Sequence, residues 1–244
     1  MNAVLSRPDA GPLRARNDLG QYDDLVAEWW EPRGEFAALH WLAEARGRLV
    51  PRARRPGALL LDLGCGGGLL APHVSGYRHV GVDLSESALA VAAGHGVEPV
   101  RADVAALPFT DGEADVVVAG EILEHVTDLD RTVAEMARVL RPGGTLVFDT
   151  IADTRFARLS LVTIGERLAG GPPRGCHDPS LFVDPERLRS LCAAHGFPDV
   201  RMWGVRPAAW EYAGFLAGRR TSVRMVPTRS LAGAYQGVGV KEDR

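Results

Sequence analysis

Lysine is almost missing from this 244-residue chain: Lys241 is the only one, and every other member of its 28 basic residues is arginine. The bias accompanies abundant alanine and glycine and reads as coding composition. It makes no nucleic-acid surface, because 31 acidic residues bring the net charge to -3, leaving no global basic field. Cysteine is scarce. Cys65, Cys176 and Cys192 are too few and too scattered for a disulfide framework or a C-x-x-C metal pattern, and they fit a reducing cytoplasm. No apolar run reaches the roughly 18 residues of a spanning helix. The opening MNAVLSRPDAG lacks the cationic-then-apolar order of a signal peptide. The rest is ordinary for a soluble globular chain, with 46% hydrophobic and 24% charged residues, enough for one α/β domain with added segments.

Residues 1–18 are polar and punctuated by Pro and Gly, and read as a flexible terminus. Tyr22 to Leu49 has a helical pattern broken at Pro32 and Gly34, followed by a basic linker, PRARRPG, at Pro51 to Gly57. Five short apolar runs follow: Ala58–Leu63, His79–Ser85, Val97–Val104, Ala114–Leu123 and Gly144–Ile151. Helical patterns alternate with them. Ser85 suits an N-cap, and Val133, Met136, Ala137 and Leu140 line one helical face before Pro142 and Gly143 stop it. This alternation predicts βαβ units and a parallel sheet. Beyond Ile151 come a helix-like stretch from Arg155 to Gly175, a helix capped by Asp184 with Pro185 at its first position, and two β-like runs, Val200–Val205 and Leu231–Val240.

The run LLLDLGCGGGLLA, Leu59 to Ala71, places Gly64, Gly66, Gly67 and Gly68 between a predicted strand and a predicted helix. Bare backbone there admits a ligand closely, and helix N–H groups offer partial positive charge. The next strand ends in Asp83, nineteen residues beyond Gly64, where a carboxylate can accept both hydroxyls of a ribose. A nicotinamide fingerprint needs G-x-G-x-x-G, but its third glycine falls on Leu69. The preceding acid, Asp62, is also unusual for that motif.

The series LDLGCGGG, GVDLS, ADVAALPF, EILEHV and VLRPGG, in this order and spacing, resembles the motifs of class I S-adenosylmethionine-dependent methyltransferases. The resemblance implies a Rossmann-like α/β fold: a seven-stranded sheet, the last strand antiparallel, with helices on both faces. It assigns cofactor contacts to Asp62, Gly64, Cys65, Gly66, Asp83, Leu84, Asp103 and Val104, with Asp62 and Gly64 at the amino-acid end and Asp83 on the ribose. Asp103 and Val104 border the adenine. The chemistry agrees, since a sulfonium cation with a zwitterionic tail and no phosphate needs acids and bare backbone rather than a phosphate cradle.

Flanking pieces narrow the resemblance. AEWWEPRGEFAALHWLAEAR, EILEHV and RGCHDPSLFVDPERL are similar to segments of the ubiquinone-biosynthesis O-methyltransferases, which act on polyprenylated catechols. By that resemblance Arg46 lies near the cofactor, and Gly120 takes a cofactor-contact position where the family often has a larger residue. It also implies a divalent metal at Glu121, Glu124 and His125, a set whose mixed O/N donors suit Mg²⁺ or Zn²⁺ and which would help deprotonate a phenolic oxygen. The alternative is that Glu124 and His125 line the cofactor or cap a helix. His125 could instead be a general base; His177, with Asp178, is a second candidate. Trp29, Trp30 and Phe36 read as packing a lid onto the domain. The stretch 155–174, apolar with interspersed arginines, can lie on an anionic membrane surface or cover the substrate.

The expected organisation is a helical lid and linker over 19–57 and a methyltransferase domain over 58–244 with an insertion near 152–183. The expected activity is O-methylation of a phenolic or catechol hydroxyl in the cytoplasm, the protein resting at the inner face of the membrane if the 155–174 stretch does bind lipid. The acceptor is either a polyprenylated quinone precursor or a small aromatic or polyketide product. A non-catalytic S-adenosylmethionine-binding protein is the reading from another class.

Overall fold

The computed structural model describes residues 14–243. Its centre is a mixed sheet in the order β3-β2-β1-β4-β5-β8-β6-β7. In chain order the elements are α1 (Gly20–Asp24), α2 (Ala37–Gly47), β1 (Ala58–Leu63), β2 (Tyr77–Asp83), α3 (Glu86–Gly94), β3 (Glu98–Arg101), β4 (Ala114–Gly120), α4 (Leu129–Val139), β5 (Leu140–Ile151), α5 (Arg155–Ala157), α6 (Pro185–Ala194), β6 (Arg201–Pro207), α7 (Ala209–Leu216), β7 (Met225–Thr228) and β8 (Ala234–Val240). The first five strands are parallel, and β8 runs antiparallel to both β5 and β6.

β1 and β4 are buried along their whole length, as apolar strands covered on both faces must be. Alternation then sorts their side chains. Leu59, Leu61, Leu63, Val117 and Ala119 join α4 and α6 residues Val133, Met136, Leu188 and Cys192 in one core. Leu60, Val116, Val118 and Val147 face the other way, toward Leu49, Val50 and Leu70. Phe148 fits only because its neighbour on β8 is Gly237, where a Cβ would collide with the ring.

Several local expectations are met. Ser85 caps α3 by accepting from the Ala88 amide, and Asp184 caps α6 by accepting from Arg187. Others are corrected. The sheet has eight strands rather than seven, the extra one being β7 on the edge beside β6. Pro227 cannot donate to a ladder, so this strand tolerates it only on an edge. α4 ends at Val139, ahead of Pro142 and Gly143, because Leu140 already pairs with Ala114 in the sheet. The helix-like stretch after Arg155 is no continuous α-helix: α5 gives way to a wide π-type turn at Arg158–Ile164 and a tight turn at Gly165–Arg167. Val183 returns to bridge Ala152, so the two ends of the 152–183 stretch meet.

Residues 1–13 of the expected flexible terminus lie outside the described residues. Residues 14–18 make specific contacts instead: Arg16 bonds Glu166 and the His177 carbonyl, and Asn17 bonds His125. Among the described residues no helix is long and apolar enough to cross a membrane.

Candidate active site

Strand order reverses direction between β1 and β4, which sends their crossovers to opposite sides and opens a crevice beyond their carboxyl ends. A cavity of about 640 Å³ lies there, within the range of small-molecule sites. The loop after β1 lines it. Gly64, Gly66 and Gly68 hold φ of 65°, 50° and 79°, left-handed values that glycine adopts without penalty. A Cβ on Gly64 would lie 2.8 Å from Ile122, and one on Gly67 2.6 Å from the Trp29 indole. Bareness here therefore serves a close approach by the lid as well as by a ligand. Cys65 turns its thiol toward the Gly66 carbonyl and packs over Gly81.

The lid is fastened at several points. Trp29 stacks on Phe36 with ring centroids 4.1 Å apart. The Trp30 indole N–H donates to the Gly67 carbonyl, and its ring stacks on His95. Asp23 on α1 accepts from the hydroxyls of Ser85 and Ser87 at the start of α3.

Asp83 ends β2 facing the cavity. Its carboxylate accepts from the Gly66 and Ser85 amides, each at 2.9 Å, and burial raises its pKa. Leu84, Asp103 and Val104 line the same end; Asp103 also accepts from the Ala105 amide. Asp62 is buried beside His79, 3.3 Å away.

At the end of β4, Gly120 lies directly beneath the guanidinium of Arg46, which a Cβ at that position would overlap. Arg46 reaches across from α2 to Asp149 on β5, at 2.5 Å and almost fully buried. Asp149 also accepts from the Glu121 amide and from Gln236. Sequence reasoning placed Arg46 but missed Asp149, which fixes it. Among the described residues the buried Nε of Arg46 has no hydrogen-bond partner.

The third wall carries the histidines. Glu124 is fully buried, and its Oε2 accepts from Thr150 at 2.7 Å, while its carboxyl also lies against that of Glu121. Burial raises its pKa to about 7. The rings of His125 and His177 stack with centroids 5.1 Å apart. Burial lowers His125 to about 4 and His177 well below the usual histidine value, so both are neutral near pH 7. One ligand atom each from Glu124, His125 and His177 lie within 4.8 Å of one another. Glu121 borders this trio, its carboxyl hydrogen-bonded to that of Glu124. Its backbone takes φ of 51°, and burial next to Glu124 pushes its carboxyl well up. His177, expected as a second base, joins Glu124 and His125 in the cluster. Asp178 is half-buried and caps the turn at Pro179–Leu181 by accepting from the Ser180 amide.

Comparison with known proteins accords with this geometry. Residues 61–148 match the family model described as a methyltransferase domain. The chain is 35% identical over 198 residues to the ubiquinone biosynthesis O-methyltransferase of Thiobacillus denitrificans, covering 77% of this chain and 85% of that protein. It is 34% identical over 209 residues to its counterpart from Burkholderia thailandensis, covering 81% and 90%. The chain belongs to the ubiquinone biosynthesis O-methyltransferase family. It is an S-adenosylmethionine-dependent methyltransferase. An S-adenosylmethionine-dependent methyltransferase of Thermotoga maritima shares the fold, with a TM-score of 0.65 at 17% identity over 91% of this chain and 97% of that one. The cavity offers groups of the kind such a cofactor needs: the Asp83 carboxylate and an Arg46 Nε–H with no partner among the described residues.

Proposed function

We propose that the enzyme methylates a phenolic or catechol hydroxyl on a quinone precursor bearing a long apolar chain. The observation that carries this reading is that acids and histidines share the cavity with a broad apolar lining, including Leu39, Trp41, Phe156, Leu161, Leu168 and Met225. The relatives' name points to the same acceptor class.

S-adenosylmethionine supplies an electrophilic methyl on a sulfonium. Arg46 and Asp83 orient that cofactor from its two ends, and the lid residues Trp29 and Phe36 exclude water. Alignment of the acceptor oxygen with the methyl accounts for much of the rate. The acceptor oxygen attacks, the carbon–sulfur bond breaks, and the phenolic proton passes to Nε2 of His125. A neutral imidazole with a conjugate acid near 4 is a weak base for a phenol. It therefore takes the proton as the new bond forms and the oxygen turns acidic.

A divalent cation is the alternative way to activate the acceptor. Glu124 and both histidines would hold it; His125 Nε2 would then be a ligand rather than the base, and the cation would lower the acceptor's pKa as a Lewis acid so that its proton leaves to solvent. Arginines 155, 158 and 167 beside exposed Phe156, Leu159 and Ile164 support peripheral contact with an anionic membrane. The deciding experiment supplies labelled S-adenosylmethionine with a prenylated catechol, an unprenylated catechol and flavonoid-like phenols, with and without chelator. Label preferring the prenylated catechol is expected. Label only on the unprenylated compounds would overturn the acceptor assignment, and turnover indifferent to chelator would retire the metal.

A further inference from the structure

Asn17 lies in a polar stretch with no motif, yet the fold brings it 108 residues along the chain to His125. Its side chain makes two bonds to that one residue. Nδ2 donates to the His125 backbone carbonyl at 3.1 Å, and Oδ1 lies 2.6 Å from ring Nδ1. The first bond fixes which end of the amide is which. An amide nitrogen donating to a carbonyl leaves its oxygen facing the ring, and an oxygen can only accept. The hydrogen of the deprotonated ring must therefore sit on Nδ1, and the lone pair on Nε2. Nε2 makes no hydrogen bond among the described residues, and His125 lines the cavity.

The backbone of Asn17 is set for this task. Its φ is 61°, a region where asparagine is enriched among residues bearing a side chain, and its own amide donates to the Gly175 carbonyl at 3.2 Å. Glycine or aspartate would tolerate the same backbone, but neither offers a donor and an acceptor together.

We propose that Asn17 is a positioning residue that locks His125 in the Nδ1–H tautomer, presenting a bare Nε2 to the acceptor. The inference rests on the reading of His125 as the base. A hydrogen-bond partner on one ring nitrogen decides what the other can do; for metal-ligating histidines, loss of such a partner lowers metal affinity or activity roughly ten- to a hundredfold, and a loss of that order is expected here.

The test uses ¹⁵N-histidine-labelled, chelator-treated protein at pH 8, with the His125 signals identified by their loss in His125→Gln. The wild type should show Nδ1 protonated and Nε2 bare. Asn17→Gly keeps the backbone conformation but removes both bonds; it should shift the ring toward Nε2–H and lower kcat roughly ten- to a hundredfold, with the KM for S-adenosylmethionine little changed. Asn17→Asp keeps the acceptor and should retain the Nδ1–H signature and recover most of the kcat. A wild-type ring protonated on Nε2, or an Asn17→Gly enzyme with unchanged tautomer or unchanged kcat, overturns the proposal. A His125→Gln enzyme of undiminished kcat overturns the base reading instead. The clamp would then remain visible in the spectrum but without a catalytic role.

Discussion

Gly120→Ala is a substitution of one methyl group, and the backbone there is not left-handed, so alanine is sterically acceptable to the chain itself. The obstacle is Arg46. A carbon contact needs roughly 3.5 Å, and the added Cβ would overlap the guanidinium, so the cation has to retreat by more than an ångström. Its partner Asp149 is buried and 2.5 Å away. Stretching that pair to about 4 Å at an effective dielectric near 20 removes about 2–3 kcal/mol of attraction. This falls below the 3–5 kcal/mol typical of deleting one partner outright. For a chain of this size the unfolding midpoint should fall by about 4–12 °C. Thermal unfolding of a double-mutant cycle decides the point. In an Arg46→Ala background the cation is gone, and Gly120→Ala should change stability by less than about 0.5 kcal/mol. An equal loss in both backgrounds would refute the reasoning, because the glycine would then be required for something other than Arg46.

Three further outcomes are expected. Asp83→Ala should weaken S-adenosylmethionine binding by roughly 2–4 kcal/mol, as for paired charged hydrogen bonds; unchanged affinity by calorimetry would remove Asp83 from the cofactor pocket. Glu124, raised from 4.5 to about 7, favours the folded state fully below pH 4.5 and loses that contribution as pH rises through 7. In chelator-treated protein, Glu124→Gln should therefore gain about 3 kcal/mol relative to wild type between pH 4.5 and pH 8; a pH-independent difference in denaturation would show that the carboxyl titrates normally. Joint Leu159→Asp and Ile164→Asp substitution, at exposed positions outside the cavity lining, should abolish sedimentation with phosphatidylserine-containing vesicles while leaving turnover of a short-chain acceptor intact, and retained sedimentation would place any membrane contact elsewhere.

The parallel half of the sheet was legible because β1 and β4 are apolar runs closed by chemically distinctive residues, and continuous burial leaves a continuous signal. β7 was not legible: four residues containing a proline carry no alternation, and only the exposed edge of β6 gives them a partner. The glycine loop and Asp83 announced themselves through local spacing. The Arg46–Asp149 pair joins residues 103 apart, and Asn17 meets His125 across 108, so no window of sequence contains either interaction. The arrival of His177 beside Glu124 and His125 was illegible for the same reason, since it enters from the insertion, far along the chain.

The lid has a consequence for the order of events. A single stretch, from Asn17 to Trp30, touches His125 at one end and the glycine loop at the other. If that stretch moved as a unit to admit or release a nucleoside, Asn17 would leave the imidazole with it. Entry and proton abstraction would then be interlocked: the door and the base would share one piece of chain, and the base would be complete only while the door was shut.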